Sequence, residues 1–155
     1  MGTRGLFGFV YKGKYYVAYN HYDSYPDYLG QLILDEIKAM LKCGSFDEWL
    51  EMAKRIKVVG NVNPTAEDIN LLKEYTDLSV SRQSTDDWYC LLRKCQGSLK
   101  NVLESGYILN HVEEDGSPCF EEYAYLLNFD NKTFDFYEGS VLVGQYQFNN
   151  LPSFS

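Results

Sequence analysis

Segments rich in the aromatic and β-branched residues of β-strands lie at the two ends of this 155-residue chain, and the stretch between them carries helical spacing. Leu6 to Tyr11 and Tyr15 to Tyr19 are rich in aromatic and β-branched residues, and Lys12-Gly13-Lys14 joins them, which predicts a β-hairpin. Both of its faces are apolar, a pattern that suits a central pair of strands better than an edge pair. At the other end, Glu122 to Phe129, Thr133 to Tyr137 and Val141 to Phe148 are separated by Asp130-Asn131-Lys132 and Glu138-Gly139-Ser140, which predicts a three-stranded meander. Phe134 and Phe136 alternate with Asp135, and Leu142, Tyr146 and Phe148 alternate with Gln145 and Gln147, so the meander is expected to have one wet face and one dry face.

The middle is punctuated by helix signals. A first helix carries Leu29, Ile33, Ile37, Met40 and Leu41 and ends at Gly44. A second opens on a Ser45–Glu48 capping box and carries Trp49, Met52, Ala53 and Ile56 on one face. A third runs from a Thr65 cap through Ile69, Leu72 and Tyr75. A fourth runs from Ser84 or Thr85 through Trp88, Leu91, Leu92 and Cys95 to Gly97, and a short fifth covers Leu99 to Leu103 and stops at Gly106. The expectation is an α+β fold in which residues 1–155 form one domain. Its sheet has about five strands, antiparallel or mixed, with four to five helices inserted between hairpin and meander and packed mainly on one face.

Composition narrows the function classes. The formal charge is −8, from 22 acidic and 14 basic side chains, so the average field repels phosphate backbones and argues against nucleic acid as a partner. Two small basic groups, Arg4 with Lys12 and Lys14, and Lys54-Arg55-Lys57 on a helix, read as solvated surface charge. No stretch approaches the roughly 20 apolar residues of a bilayer span, and no signal-peptide layout is visible, so cytoplasmic or virion-interior residence is expected. Cys43, Cys90, Cys95 and Cys119 form no C-x-x-C pair and read as reduced, mostly buried thiols. The phosphate-binding loop, the dinucleotide fingerprint, the zinc-protease helix and the nucleophile elbow are all absent, and no cofactor is implied.

Chemistry concentrates in Asn20-His21-Tyr22-Asp23-Ser24-Tyr25-Pro26, where a strand gives way to a helix. Tyr11, Tyr15, Tyr16, Tyr19, Tyr22, Tyr25 and Tyr28 surround it, a density beyond what packing requires, so some are expected to face outward as contact surface. In an architectural reading, Asp23 or Ser24 caps the helix, Pro26 sets its first turn, and His21 bonds a backbone carbonyl. In a functional reading, His21 acts as general acid or base with Asp23 or Asp27 fixing its tautomer. A third option places a divalent metal on His21, Asp23 and His111, although the spacing is not diagnostic and no metal is assigned. Cys119, with His111 eight residues earlier, reads as a structural thiol rather than half of a thiolate pair.

Met1-Gly2-Thr3-Arg4-Gly5, Tyr11-Lys12-Gly13-Lys14-Tyr15-Tyr16 and Tyr19-Asn20-His21-Tyr22-Asp23-Ser24-Tyr25-Pro26 followed by Leu29-Gly30 resemble a family of small uncharacterised proteins. Its members occur in giant DNA viruses of the marseillevirus type, in fungi and in other microbial eukaryotes. Phage proteins with a related turn are more loosely similar, many having glycine where this chain has Ser24. The specific part covers about the first thirty residues, with a vaguer likeness at Tyr123 to Tyr137, and it implies no activity and no catalytic residues. The leading expectation is therefore a non-enzymatic binding module, a viral accessory or virion protein, that holds a protein partner or small ligand through Arg4, Asn20, His21, Tyr22, Asp23 and Tyr25. The alternatives are a small hydrolase centred on His21 and Asp23, and a nucleotide-sequestering protein in which Arg4 holds phosphate while Tyr22 or Tyr25 stacks on a base. The exposed tyrosines are also compatible with a homodimer.

Overall fold

A computed structural model describes residues 3–154, so Met1 and Gly2 of the opening motif lie outside the described residues. The predicted hairpin forms from β1 (Gly5–Tyr11) and β2 (Lys14–Asn20). A π-helical turn, Pro26–Gly30, leads into α1 (Gln31–Lys42), followed by α2 (Phe46–Lys54), β3 (Lys57–Val59) and α3 (Ala66–Leu71). The chain continues through α4 (Trp88–Leu91), α5 (Leu99–Ser105) and β4 (Tyr107–Leu109). It then closes with the meander β5 (Tyr123–Asn128), β6 (Thr133–Glu138) and β7 (Val141–Gln147). The main sheet has five strands in the order β2-β1-β5-β6-β7 and is mixed, because β1 runs parallel to β5 and every other pair is antiparallel.

This is the expected α+β fold, with four points of difference. Only β1 is central, whereas β2 is an edge strand. Its edge is covered by side-chain mimicry: Asn110 accepts from the Val17 N–H at 2.7 Å and donates to the Tyr15 carbonyl at 3.1 Å, and the His111 N–H donates to the Val17 carbonyl. The apolar character of β2 therefore reflects a protected edge. Secondly, the second face of the meander is not wet at its middle. Asp135 is buried and accepts from Asn128 Nδ2 at 3.1 Å and Thr133 Oγ1 at 2.7 Å, so hydrogen bonds replace the water that the alternation suggested. A second apolar cluster of Leu6, Val10, Val17, Ala124 and Leu126 lies on that face under Val112 and Phe120, from the loop before β5.

Thirdly, β3 and β4 pair in parallel as a separate two-stranded sheet that their length hides from periodicity. Lys57 thus belongs to a strand, 3.6 Å from Asp68, and does not extend a helical basic patch. The other basic group is dispersed too, since Arg4 and Lys12 flank the seven residues of β1 and lie roughly 26 Å apart at strand rise. Finally, the fourth helix is much shorter than its apolar spacing implies. Asp87, not Ser84 or Thr85, caps it through the Tyr89 N–H, and a 3₁₀ turn, Arg93–Cys95, follows at once. Ser45 makes no side-chain cap, whereas Thr65 forms a full capping box with Asp68.

The principal core joins the helical layer (Ile33, Ile37, Trp49, Trp88, Leu99, Val102) to one face of the sheet (Phe7, Phe9, Tyr125, Leu127, Phe134, Phe136). Among the described residues no helix is long and apolar enough to cross a membrane. All four cysteines are free thiols, Cys90 and Cys95 buried and Cys43 exposed.

Candidate functional site

The tyrosine-crowded turn leaves the end of β2 and is held by its own small polar residues. Asn20, buried at the strand end, donates through Nδ2 to the Tyr22 carbonyl at 2.6 Å and to Ser24 Oγ at 2.9 Å. Ser24, fully buried, donates back to the Asn20 carbonyl at 3.3 Å, and its own carbonyl accepts the Tyr125 hydroxyl at 2.7 Å. Burial pushes the Tyr125 hydroxyl well above the usual phenol range, so it remains a donor. The π-turn packs so closely here that a Cβ on Gly30 would sit 2.7 Å from the Tyr125 ring.

These contacts revise the architectural reading. Neither Asp23 nor Ser24 caps the helix by its side chain, and Tyr25 occupies the cap position. Asp23 takes a left-handed backbone (φ +54) that leaves its side chain exposed while its carbonyl accepts from the Leu29 N–H. His21 bonds neither a backbone carbonyl nor Asp23 through its ring: Nδ1 lies 2.8 Å from the Tyr19 hydroxyl, and the backbone N–H donates to Gln96 Oε1 at 3.3 Å. The Asp23-assisted acid–base arrangement is therefore not assembled. Tyr22, Tyr25 and Tyr28 are exposed, as contact surface requires.

Tertiary packing builds a different constellation. Both histidines of the chain meet on Tyr19, with His21 hydrogen-bonded to its hydroxyl and the His111 ring 5.4 Å from its ring centroid. His111 Nε2 is in turn 3.5 Å from Glu121. Burial raises the Tyr19 hydroxyl above its ordinary range, with the Arg4 charge opposing that shift. Arg4 stands one step beyond the Gly5–Asn20 pair, level with His21, and its backbone N–H donates to Glu122. Among the described residues no group of three His, Cys, Asp or Glu side chains converges as a metal site, so His21, Asp23 and His111 do not form a ligand set. Cys119 meets His111 through the backbone, N–H to carbonyl at 2.9 Å, and burial raises its thiol.

Beside Tyr19 lies a cavity of about 200 Å³ between β2, the 3₁₀ turn, α5 and β4. Its walls include Phe7, Ala18, Leu92, Val102 and Ile108, and its polar groups are Tyr19, Tyr89, Gln96, Asn110 and His111. Cys95 also lines it, with a thiol pushed up to about 12 by burial against the opposing effect of a Ser105 side-chain contact, so this sulfur stays protonated and is not a nucleophile at neutral pH. Tyr19 and Tyr89 are shared with an open groove of about 510 Å³ that continues past His21, Tyr22, Val80 and Ser81 to Arg93. Of the residues singled out by sequence, His21 and Tyr22 reach this groove. Asn20 and Asp23 line a smaller neighbouring hollow, and Arg4 and Tyr25 line neither cavity nor groove. The turn alone gave no hint of Tyr89, Arg93, Gln96 or Asn110 as lining residues, because their separation from it exceeds the range of any local pattern; His111, which the sequence grouped with His21 only as a metal ligand, reaches the site as a lining group.

A scan against protein-family models and searches of curated proteins and solved structures find no match.

Proposed function

We propose that the protein is a non-enzymatic binding protein whose ligand is a small, single-ring compound held in the cavity beside Tyr19. The observation that carries this reading is the cavity's combination of size and lining. A dry cavity of roughly 150 Å³ admits a benzene ring, so about 200 Å³ suits one ring with a short substituent. Mostly apolar walls with a few polar groups at defined positions are the usual composition of a small-molecule site. The competing reading, a small hydrolase centred on His21 and Asp23, has less support because the exposed Asp23 carboxylate has no contact with the His21 ring.

The test is a thermal-shift and ¹H–¹⁵N titration with phenol. At a hundredfold excess over Kd, the melting temperature should rise by roughly 5–10 °C, and the perturbed amides should cluster on Ala18, Tyr19, Leu92, Gln96 and Ile108. Ala18→Leu, which fills the cavity from β2, should fold normally and abolish the response. A flat profile, or an equal response in Ala18→Leu, would overturn the proposal.

A further inference from the structure

Resting on that reading, we infer that the ligand carries a carboxylate, held by Arg93 in the groove while its ring occupies the inner cavity. The 3₁₀ turn Arg93–Cys95 sorts its neighbours between the two compartments. Leu92, Cys95 and Gln96 line the inner cavity, whereas Arg93 lines the outer groove and the hollow next to it. One short turn thereby supplies both an apolar wall and a cation. Tyr19 and Tyr89 stand where the compartments meet, so a ligand passing between them has its ring on one side and its head on the other.

Arg93 is half-buried, and among the described residues its guanidinium makes no ion pair and no hydrogen bond. Asp23, which lines the adjoining hollow with it, is not paired to it. None of the arginines makes an ion pair within 4 Å among the described residues, but Arg93 alone is partly buried; its charge acts on Asp77 only without a contact, and its planar fork is left free to match a carboxylate. The hydroxyls of Tyr22 and Tyr89, also without hydrogen-bond partners among the described residues, add donors to the same groove. A single cation balances a monoanion better than a phosphate carrying nearly two charges, and the net charge of −8 weighs further against the dianion. At physiological salt the average field decays over about 8 Å, so the local fork governs a head group in direct contact.

Isothermal titration with phenol, phenylacetate and phenyl phosphate distinguishes the cases. Phenylacetate should bind about ten- to a hundredfold more tightly than phenol, the range of one charge-assisted contact. Arg93→Gln should abolish that preference while leaving phenol affinity unchanged, and Arg93→Lys should retain part of it. Unchanged melting temperatures would establish that both variants fold. Equal binding of phenol and phenylacetate, or a preference that survives in Arg93→Gln, would overturn the carboxylate assignment and leave the cavity reading standing. Tighter binding of phenyl phosphate than of phenylacetate would overturn it in favour of a phosphate head. Failure of all three compounds to bind would overturn both the assignment and the cavity reading.

Discussion

The tyrosines of this chain divide by the fate of their hydroxyls. Tyr22, Tyr25 and Tyr28 leave theirs near water, Tyr19 shares its own with His21, and Tyr125 spends its hydroxyl on the buried Ser24 carbonyl. That last bond ties the turn to β5 across 101 residues of chain. Tyr125→Phe preserves the ring stacked 5.4 Å from Phe136 but leaves the Ser24 carbonyl without this donor. The expected loss is about 1–3 kcal/mol in urea denaturation, the cost of an unsatisfied buried acceptor. Hydrogen exchange should accelerate at residues 20–30 before it does in α1. A loss within experimental error would mean that Asn20 and Ser24 hold the turn without help from the sheet.

The elements are fastened to one another by carboxylates that act at a distance, Glu36 partly buried and Asp68 buried. Glu36 of α1 accepts from the Ser98 hydroxyl at 2.6 Å and the Leu99 N–H at 2.8 Å, and so supplies acceptors to the first turn of α5. Asp68 completes the capping box of α3 while accepting the Tyr107 hydroxyl of β4 at 2.6 Å, with Lys57 of β3 at 3.6 Å. The Tyr107 hydroxyl, the Thr65 backbone N–H, the Thr65 side chain and the Lys57 charge lower the Asp68 carboxyl from 3.8 to about 2, against the opposing effect of burial. Because the folded value lies below the unfolded one, the stabilisation is fully present above about pH 4 and fades as pH falls toward 2. Its full extent is on the order of 2 kcal/mol. Urea midpoints measured from pH 7 down to pH 2 should therefore fall less steeply between pH 4 and pH 2 in Asp68→Asn than in the parent. Parallel profiles would show that Asp68 is equally ionisable in the unfolded chain.

At the scale of the whole molecule, β1 is paired on one side to β2, its neighbour in sequence, and on the other to β5, with Gly5 beside Tyr123. The helical layer intervenes in sequence and packs on the same sheet through one cluster that includes Trp49 and Trp88. Tryptophan fluorescence, which reports that layer, and far-UV circular dichroism should accordingly lose their native signals at one common denaturant midpoint. Separate midpoints would show that the helices and the sheet unfold independently.

Local pattern alone determined the α+β class, the hairpin, the meander, the Thr65 cap and the outward tyrosines, because side-chain period, turn residues and capping preferences act over a few residues. It also marked the turn beginning at Asn20 as the place where polar groups gather. Contacts between distant segments decided the rest. The parallel β1–β5 pairing, the buried state of Asp135 and the short β3–β4 sheet depend on partners that no local period announces. The same is true of the site. His21 is turned toward Tyr19 and not Asp23, His111 arrives from a segment ninety residues away, and Arg93 rather than Arg4 reaches the groove. Sequence fixes which groups are available within a turn, but hydrogen-bond satisfaction and close packing across the fold select which of them face a common space.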